Sequence, residues 1–252
     1  MHLKSDEEML PFTQHDAHRN ENAASDMFCP NAYLGRLLSL KQMDIDMASS
    51  QMIEILTNPS NVYKHASLRK QTRGHYARDD PTFAALLCAM IMLASTAYGV
   101  AFSVSFWRYM VLILHALLHL FGYGALVATL GWYLGNRFLL TRSTEQKIEW
   151  TFALDIHFNA FFPSFLVLYV VQFFLLPVLL LDTFLAAFLS NVLYAVALST
   201  YWYVTFLGYT SMPFLQNTEF YLYPLFPVLG FCGIASLVGF NLTLYFMNWF
   251  LY

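Results

Sequence analysis

The stretch RKQTRGHYARDDPTFAALLCAMIMLAS, Arg69 to Ser95, sets Arg69, Lys70, Arg73 and Arg78, then Asp79, Asp80 and Pro81, directly against an uncharged apolar run. A soluble domain spreads such charges over a wetted face. A chain entering a bilayer must leave them at the surface, because every charge carried into hydrocarbon is costly. The boundary at Thr82 therefore marks a point of membrane insertion. Composition agrees, with 58% of the 252 residues hydrophobic and only 12% charged, against roughly 25% charged in an ordinary soluble domain.

Four further apolar runs follow, giving expected spans near 83–106, 109–135, 158–181, 184–206 and 224–250. Each is long enough for a hydrocarbon core of about 30 Å, which takes about 20 helical residues. None contains Asp, Glu, Lys or Arg. The fold class is thus an all-α integral membrane protein: a five-helix transmembrane domain over 83–252, preceded by an amphipathic cytosolic helical region over 34–82. Residues 1–33 carry six acids before Cys29 and no periodicity, so they are expected to form a disordered tail.

Charge placement sets the expected orientation. Nine of the thirteen Lys and Arg residues precede Thr82, and Arg137, Arg142 and Lys147 fall between the second and third runs. Five spans with a cytosolic N-terminus put twelve bases inside and only Arg108 outside, with the C-terminus lumenal. Cys29, Cys88 and Cys232 imply no disulfide framework.

Ahead of the first span, Ile45, Ala48, Met52, Ile55 and Leu56 recur at helical spacing until Asn58-Pro59 stops the pattern. Such a helix either lies on the membrane surface or packs on the cytosolic ends of the bundle. Asp80-Pro81 is an N-cap followed by proline at the first helical position. One cap suffices for a helix, so Arg78 and Asp79 call for another explanation.

Within the spans, Gly131 with Gly135, Gly124 with Ala128 and Ala235 with Gly239 mark close helix contacts without saying whose, and no oligomeric state follows. His115 and His119 stand one turn apart but lack further ligands, so neither a metal nor another cofactor is expected. Asp155, His157 and Asn159 crowd the start of the third run. On a helix Asp155 and Asn159 share a face while His157 points away. They are either a satisfied polar helix start or, joined by Arg78 or Asp79, the site of a channel, lipid-handling protein or membrane enzyme. Gln172 and Asn191 come to similar depths and are expected to share an interhelical hydrogen bond worth about 1 kcal/mol. The chain has no GxSxG, HExxH, Walker A or dinucleotide fingerprint, so no enzymatic activity is expected.

Six motifs in order carry a family likeness: QMD at Gln42 to Asp44, RKQT at Arg69 to Thr72, ARDDPTF at Ala77 to Phe83, DIHFNAFFP at Asp155 to Pro163, DTF at Asp182 to Phe184 and VTFLGY at Val204 to Tyr209. Together they resemble the Unc-fifty family of Golgi membrane proteins, and Asp79, Asp80, Pro81, Asp155, His157 and Asn159 fall within them. The resemblance implies a multi-pass protein of the Golgi and endoplasmic reticulum that routes membrane cargo such as multi-subunit receptors. It also implies a link to large exchange factors for Arf-type GTPases, and it carries no catalytic activity. Independently, Lys64, Arg69, Lys70, Arg73 and Arg78 form five bases without an intervening acid. That pattern suits anionic membrane lipid or an acidic partner. A nucleic-acid partner is not expected of a membrane-anchored segment this short.

Overall fold

A computed structural model describes residues 44–141 and 146–251. The expected acidic tail, the start of the amphipathic region, and Arg142 lie outside the described residues. Among those described the protein is helical, with no β-strand; an isolated bridge pairs Leu140 with Leu215.

The pre-membrane region is a helical hairpin. Asp44 starts α1 (Ile45–Thr57) by accepting the Met47 amide at 2.9 Å, satisfying one of the donors a helix start leaves open. Pro59, which has no N–H to lose, opens α2 (Pro59–Arg73). Gly74 closes α2 at φ 83°, a left-handed cap that a residue with a Cβ resists. The apolar face of α1 does not lie on a membrane surface. Ala48, Met52 and Ile55 join Val62 of α2 in one buried cluster with Phe83, Leu87, Ile91 and Phe158. Of the two sequence readings, packing on the ends of the bundle is the one adopted.

Five segments are long and apolar enough to cross a membrane: α3 (Thr82–Ala101), α4 (Phe106–Leu139), α5 (Trp150–Leu179), α6 (Phe184–Thr210) and a fifth over Thr218–Leu237. The fifth combines a 3₁₀ turn at Thr218–Leu222 with α7 (Leu225–Leu237). The boundaries depart from expectation by up to six residues at most span ends, and the two larger departures have physical reasons. α5 starts eight residues before the expected 158, because its first two turns are anchored by protein rather than lipid. Asp155, His157 and Asn159 consequently sit inside a regular helix.

The run 224–250 is not one helix. It breaks after Leu237, where Gly239 takes φ 71° and the Phe240 amide bonds back to Ala235 O at 2.8 Å. The short α8 (Leu242–Leu251) then turns back along α6. Thr243 pairs with Ser190 through both its amide and its hydroxyl, each at 2.8 Å, and Phe246 stacks on Tyr194 with ring centroids 5.5 Å apart.

α6 is the central helix, packed against α5 and α7. Glycines let α4 approach its neighbours: Gly124 lies against the His157 ring, Gly131 against the Tyr209 hydroxyl, and Gly135 against Ile148 and Tyr221. A Cβ at any of the three would collide. These small residues therefore face contacts within one chain.

Candidate functional site

The basic segment that opened the sequence argument is folded into a polar junction at the α1–α2 end of the bundle. Its centre is Arg78, with only 8% of its side chain exposed. Nε donates to Gln51 Oε1 of α1 at 3.0 Å and Nη2 donates to Asn159 Oδ1 of α5. Nη1 lies 3.7 Å from Asp155 Oδ1, and the Arg78 amide donates to Asp155 Oδ2 at 2.6 Å. The guanidinium plane sits 4.1 Å from the centroid of the Phe83 ring, a cation–π contact strengthened by desolvation. One residue between α2 and α3 thus binds α1, α3 and α5 together.

The flanking charges act in the same way. Arg73 pairs with Asp79, whose other oxygen is 3.2 Å from His75 Nε2. Lys70 Nζ reaches Glu149 Oε1 at 2.9 Å, just ahead of α5, while Glu149 Oε2 accepts the Tyr76 amide at 3.1 Å. Arg69 donates to the Tyr76 carbonyl through Nε and Nη2. Burial lowers the Arg69 guanidinium pKa, and Arg78 lowers it further, while Asp155 and Asp79 oppose both effects. Asp80 serves two helix starts: Oδ1 accepts the Thr82 amide at 3.0 Å, and Oδ2 accepts the Asp44 amide at 3.1 Å. The expected positions shift by one: Pro81 occupies the cap position and α3 starts at Thr82, while Asp80, one residue earlier, still accepts the Thr82 amide.

Of the five bases expected to meet a ligand, Arg69, Lys70, Arg73 and Arg78 are engaged within the protein. Lys64 is exposed and donates to Asn61 Oδ1 at 3.1 Å.

The trio in α5 divides as helical geometry requires. Asp155 and Asn159 meet at Arg78. His157, 1% exposed, turns to the opposite side, with Nδ1 2.7 Å from the Tyr201 hydroxyl and Nε2 2.9 Å from Leu120 O. The three therefore do not converge on one pocket. Among the described residues no group of three or more His, Cys, Asp or Glu is placed to hold a metal.

The expected Gln172–Asn191 bond is corrected. Asn191 gives its Nδ2 to Phe240 O at 2.8 Å and to Ser236 Oγ at 3.2 Å, and its Oδ1 accepts the Leu242 amide at 3.4 Å. It closes the α7–α8 corner, whose free backbone groups are stronger claimants than a side chain on α5. Gln172 faces the Tyr194 hydroxyl instead. Similar depth did not imply a shared face.

Three members of the junction were not singled out from sequence: Gln51, Tyr63 and Glu149. Tyr63 donates to Val204 O of α6 at 3.0 Å. Burial raises its phenol pKa well above the ordinary range, only partly offset by Asn159 beside it, so it remains a neutral donor. Glu149 was visible as an acid directly before an apolar run that also contained the first partners of Arg78. Gln51 and Tyr63 carried no signal beyond ordinary helix composition.

A helical hairpin clasped to five spanning helices by the buried Arg78–Asp155 pair and by partly exposed pairs around it defines a polytopic membrane protein with a fixed extramembrane cap. Comparison with known proteins narrows this class. The model of the UNC-50 family matches residues 33–251. A relative named Protein unc-50 homolog from Dictyostelium discoideum is 42% identical over 231 residues, covering 86% of each chain. That of Homo sapiens is 40% identical over 214 residues, 84% of this chain and 83% of its own. That of Danio rerio is 35% identical over 248 residues, 93% and 95%. The chain belongs to the UNC-50 family. No solved structure matches it.

Proposed function

We propose that the protein is a non-enzymatic adaptor in vesicle-mediated transport, resident in Golgi and endoplasmic reticulum membranes with its N-terminal cap in the cytosol. It routes membrane cargo such as multi-subunit receptors and cooperates with a large Arf-type GTPase exchange factor. The observation that supports this reading is the cap itself. Its inner face is locked to the bundle, while Ile45, Ile53 and Leu56 on α1 are each more than half exposed. These three fall within about 80° of arc on a helix of 3.6 residues per turn. Exposed Lys64, with Arg73, whose side chain stays 60% exposed while paired with Asp79, gives the same cap a basic margin suited to an acidic partner or anionic lipid. An apolar strip held rigidly at a membrane surface suits a protein that binds other proteins.

The test is the double variant Ile53→Glu with Leu56→Glu, introduced in full-length protein in cells. Both side chains are exposed, so insertion and thermal stability should be unchanged. Delivery of a receptor cargo to the cell surface should fall several-fold, together with co-purification of the exchange factor. Normal delivery by a correctly inserted variant would refute the adaptor reading.

A further inference from the structure

Inside the bundle, away from the clasp, three polar atoms without a hydrogen-bond partner in the protein line one small chamber: the Ser95 hydroxyl, the Tyr98 hydroxyl and the Gln172 amide oxygen. Their residues are 2%, 5% and 2% exposed. Native proteins rarely leave such groups unsatisfied. Unsatisfied groups in hydrocarbon are costlier still. The chamber measures about 130 Å³, on the order of four waters at about 30 Å³ each. Ser95 and Gln172 lie six and seven residues from the far ends of α3 and α5. That places the chamber about 10 Å inside those ends at 1.5 Å per residue, within the half of the membrane opposite the cap.

The chamber is not isolated. His119, Leu168, Tyr169, Tyr194 and Phe246 line both it and an adjoining cavity of about 990 Å³. That larger space is walled mainly by aromatic and aliphatic side chains from α5, α6 and the α7–α8 hairpin. Phe231 and Ile234 of α7 border it and are also exposed on the outer surface of the bundle, 58% and 64%, so the cavity reaches the lipid phase. No Asp, Glu, Lys or Arg lines either space among the described residues. The π-helical turns His119–Tyr123 in α4 and Leu166–Val171 in α5 both contribute to the walls, and such turns are frequent at functional sites.

We propose that the two spaces form one binding site for a sterol, with the ring system in the large cavity and the hydroxyl in the chamber. His115, His119, Tyr169 and Tyr194 also border the chamber, and its Ser95, Tyr98 and Gln172 atoms match a single hydroxyl, which has one donor for the Gln172 oxygen and two acceptor lone pairs for Ser95 and Tyr98. Lack of a charged side chain disfavours phosphate-bearing headgroups. The chamber is too small for a glycerol carrying two ester carbonyls, which argues against diacylglycerol. The rigid aromatic walls suit a planar body.

The test uses purified full-length protein in phosphatidylcholine vesicles containing a photoreactive, alkyne-tagged sterol, with the label quantified and mapped after irradiation. Labelling should be saturable and map to α5, α6, α7 or α8. Excess cholesterol should compete it at least fivefold. The 3-methyl ether, which cannot donate to Gln172, should compete poorly, as should diacylglycerol. Tyr98→Phe and Gln172→Leu should each reduce labelling at least threefold at unchanged melting temperature. If Gln172→Leu fails to fold, the methyl-ether competition decides alone. Non-saturable labelling, equal competition by the ether, or competition by diacylglycerol in place of cholesterol would overturn the proposal.

Discussion

Arg78 shows most directly what a single residue does here. Its guanidinium is desolvated between Asp155, Asn159, Gln51 and the Phe83 ring. A buried ion pair adds little net stability against an apolar isostere, but removing one member strands the other. Arg78→Leu leaves the buried Asp155 carboxyl without its facing cation and orphans the Asn159 oxygen. A loss of about 3–5 kcal/mol is expected, visible as a lower melting temperature in mild detergent. Arg78→Lys should recover only part of it, because an ammonium cannot span three partners as a planar fork does. Equal stability of the lysine variant and the native protein would show that charge alone suffices. The sequence showed that Arg78 and Asp79 exceeded the needs of a helix start, and it showed that Asp155 and Asn159 share a face. It could not show that these belong together, since 77 residues separate Arg78 from Asp155 and no periodicity spans such a gap.

At the scale of elements, α1 and α3 are joined by one carboxylate. Asp80 accepts from the first amide of α3 and from the amide of Asp44, the cap of α1. Asp80→Ala removes both bonds. A capping loss of about 1 kcal/mol is expected at α3, and release of α1 should appear as faster amide hydrogen exchange in α1 than in α5. Uniform exchange across both helices would mean that the apolar face of α1 holds it in place unaided. Such capping chemistry was legible because Asp-Pro before an apolar run has a local cause. The α7–α8 corner was not: residues 224–250 contain no charge, and an apolar run measures suitability for lipid rather than straightness. Only Gly239 and Asn241 hinted at the break. Asn241 donates to Leu179 O at 2.7 Å and accepts the Leu244 amide at 3.0 Å, so a bond to α5 fixes where the turn falls.

For the molecule as a whole, the cap and the charge asymmetry point the same way. Lys64, Arg69, Lys70, Arg73, Arg78, Arg137 and Lys147 lie at the α1–α2 end or in the connections joining it, while Arg108 lies in the first turn of α4 at the other. Basic residues are retained in the cytosol, so the cap is expected there and the α7–α8 corner at the lumenal face. The sequon Asn241-Leu242-Thr243 then lies on the side where glycosylation occurs, yet both ends of the Asn241 amide are occupied and Thr243 is buried. It should remain unmodified, with no mass shift on glycosidase treatment. Phe240 is 41% exposed at the same corner. Phe240→Cys in a background lacking the native cysteines should react with a membrane-impermeant maleimide only after the lumenal side of sealed microsomes is opened. A cysteine at Lys64 should react without opening. The reverse pattern would invert the orientation and place the exposed strip of α1 in the lumen, out of reach of any cytosolic partner.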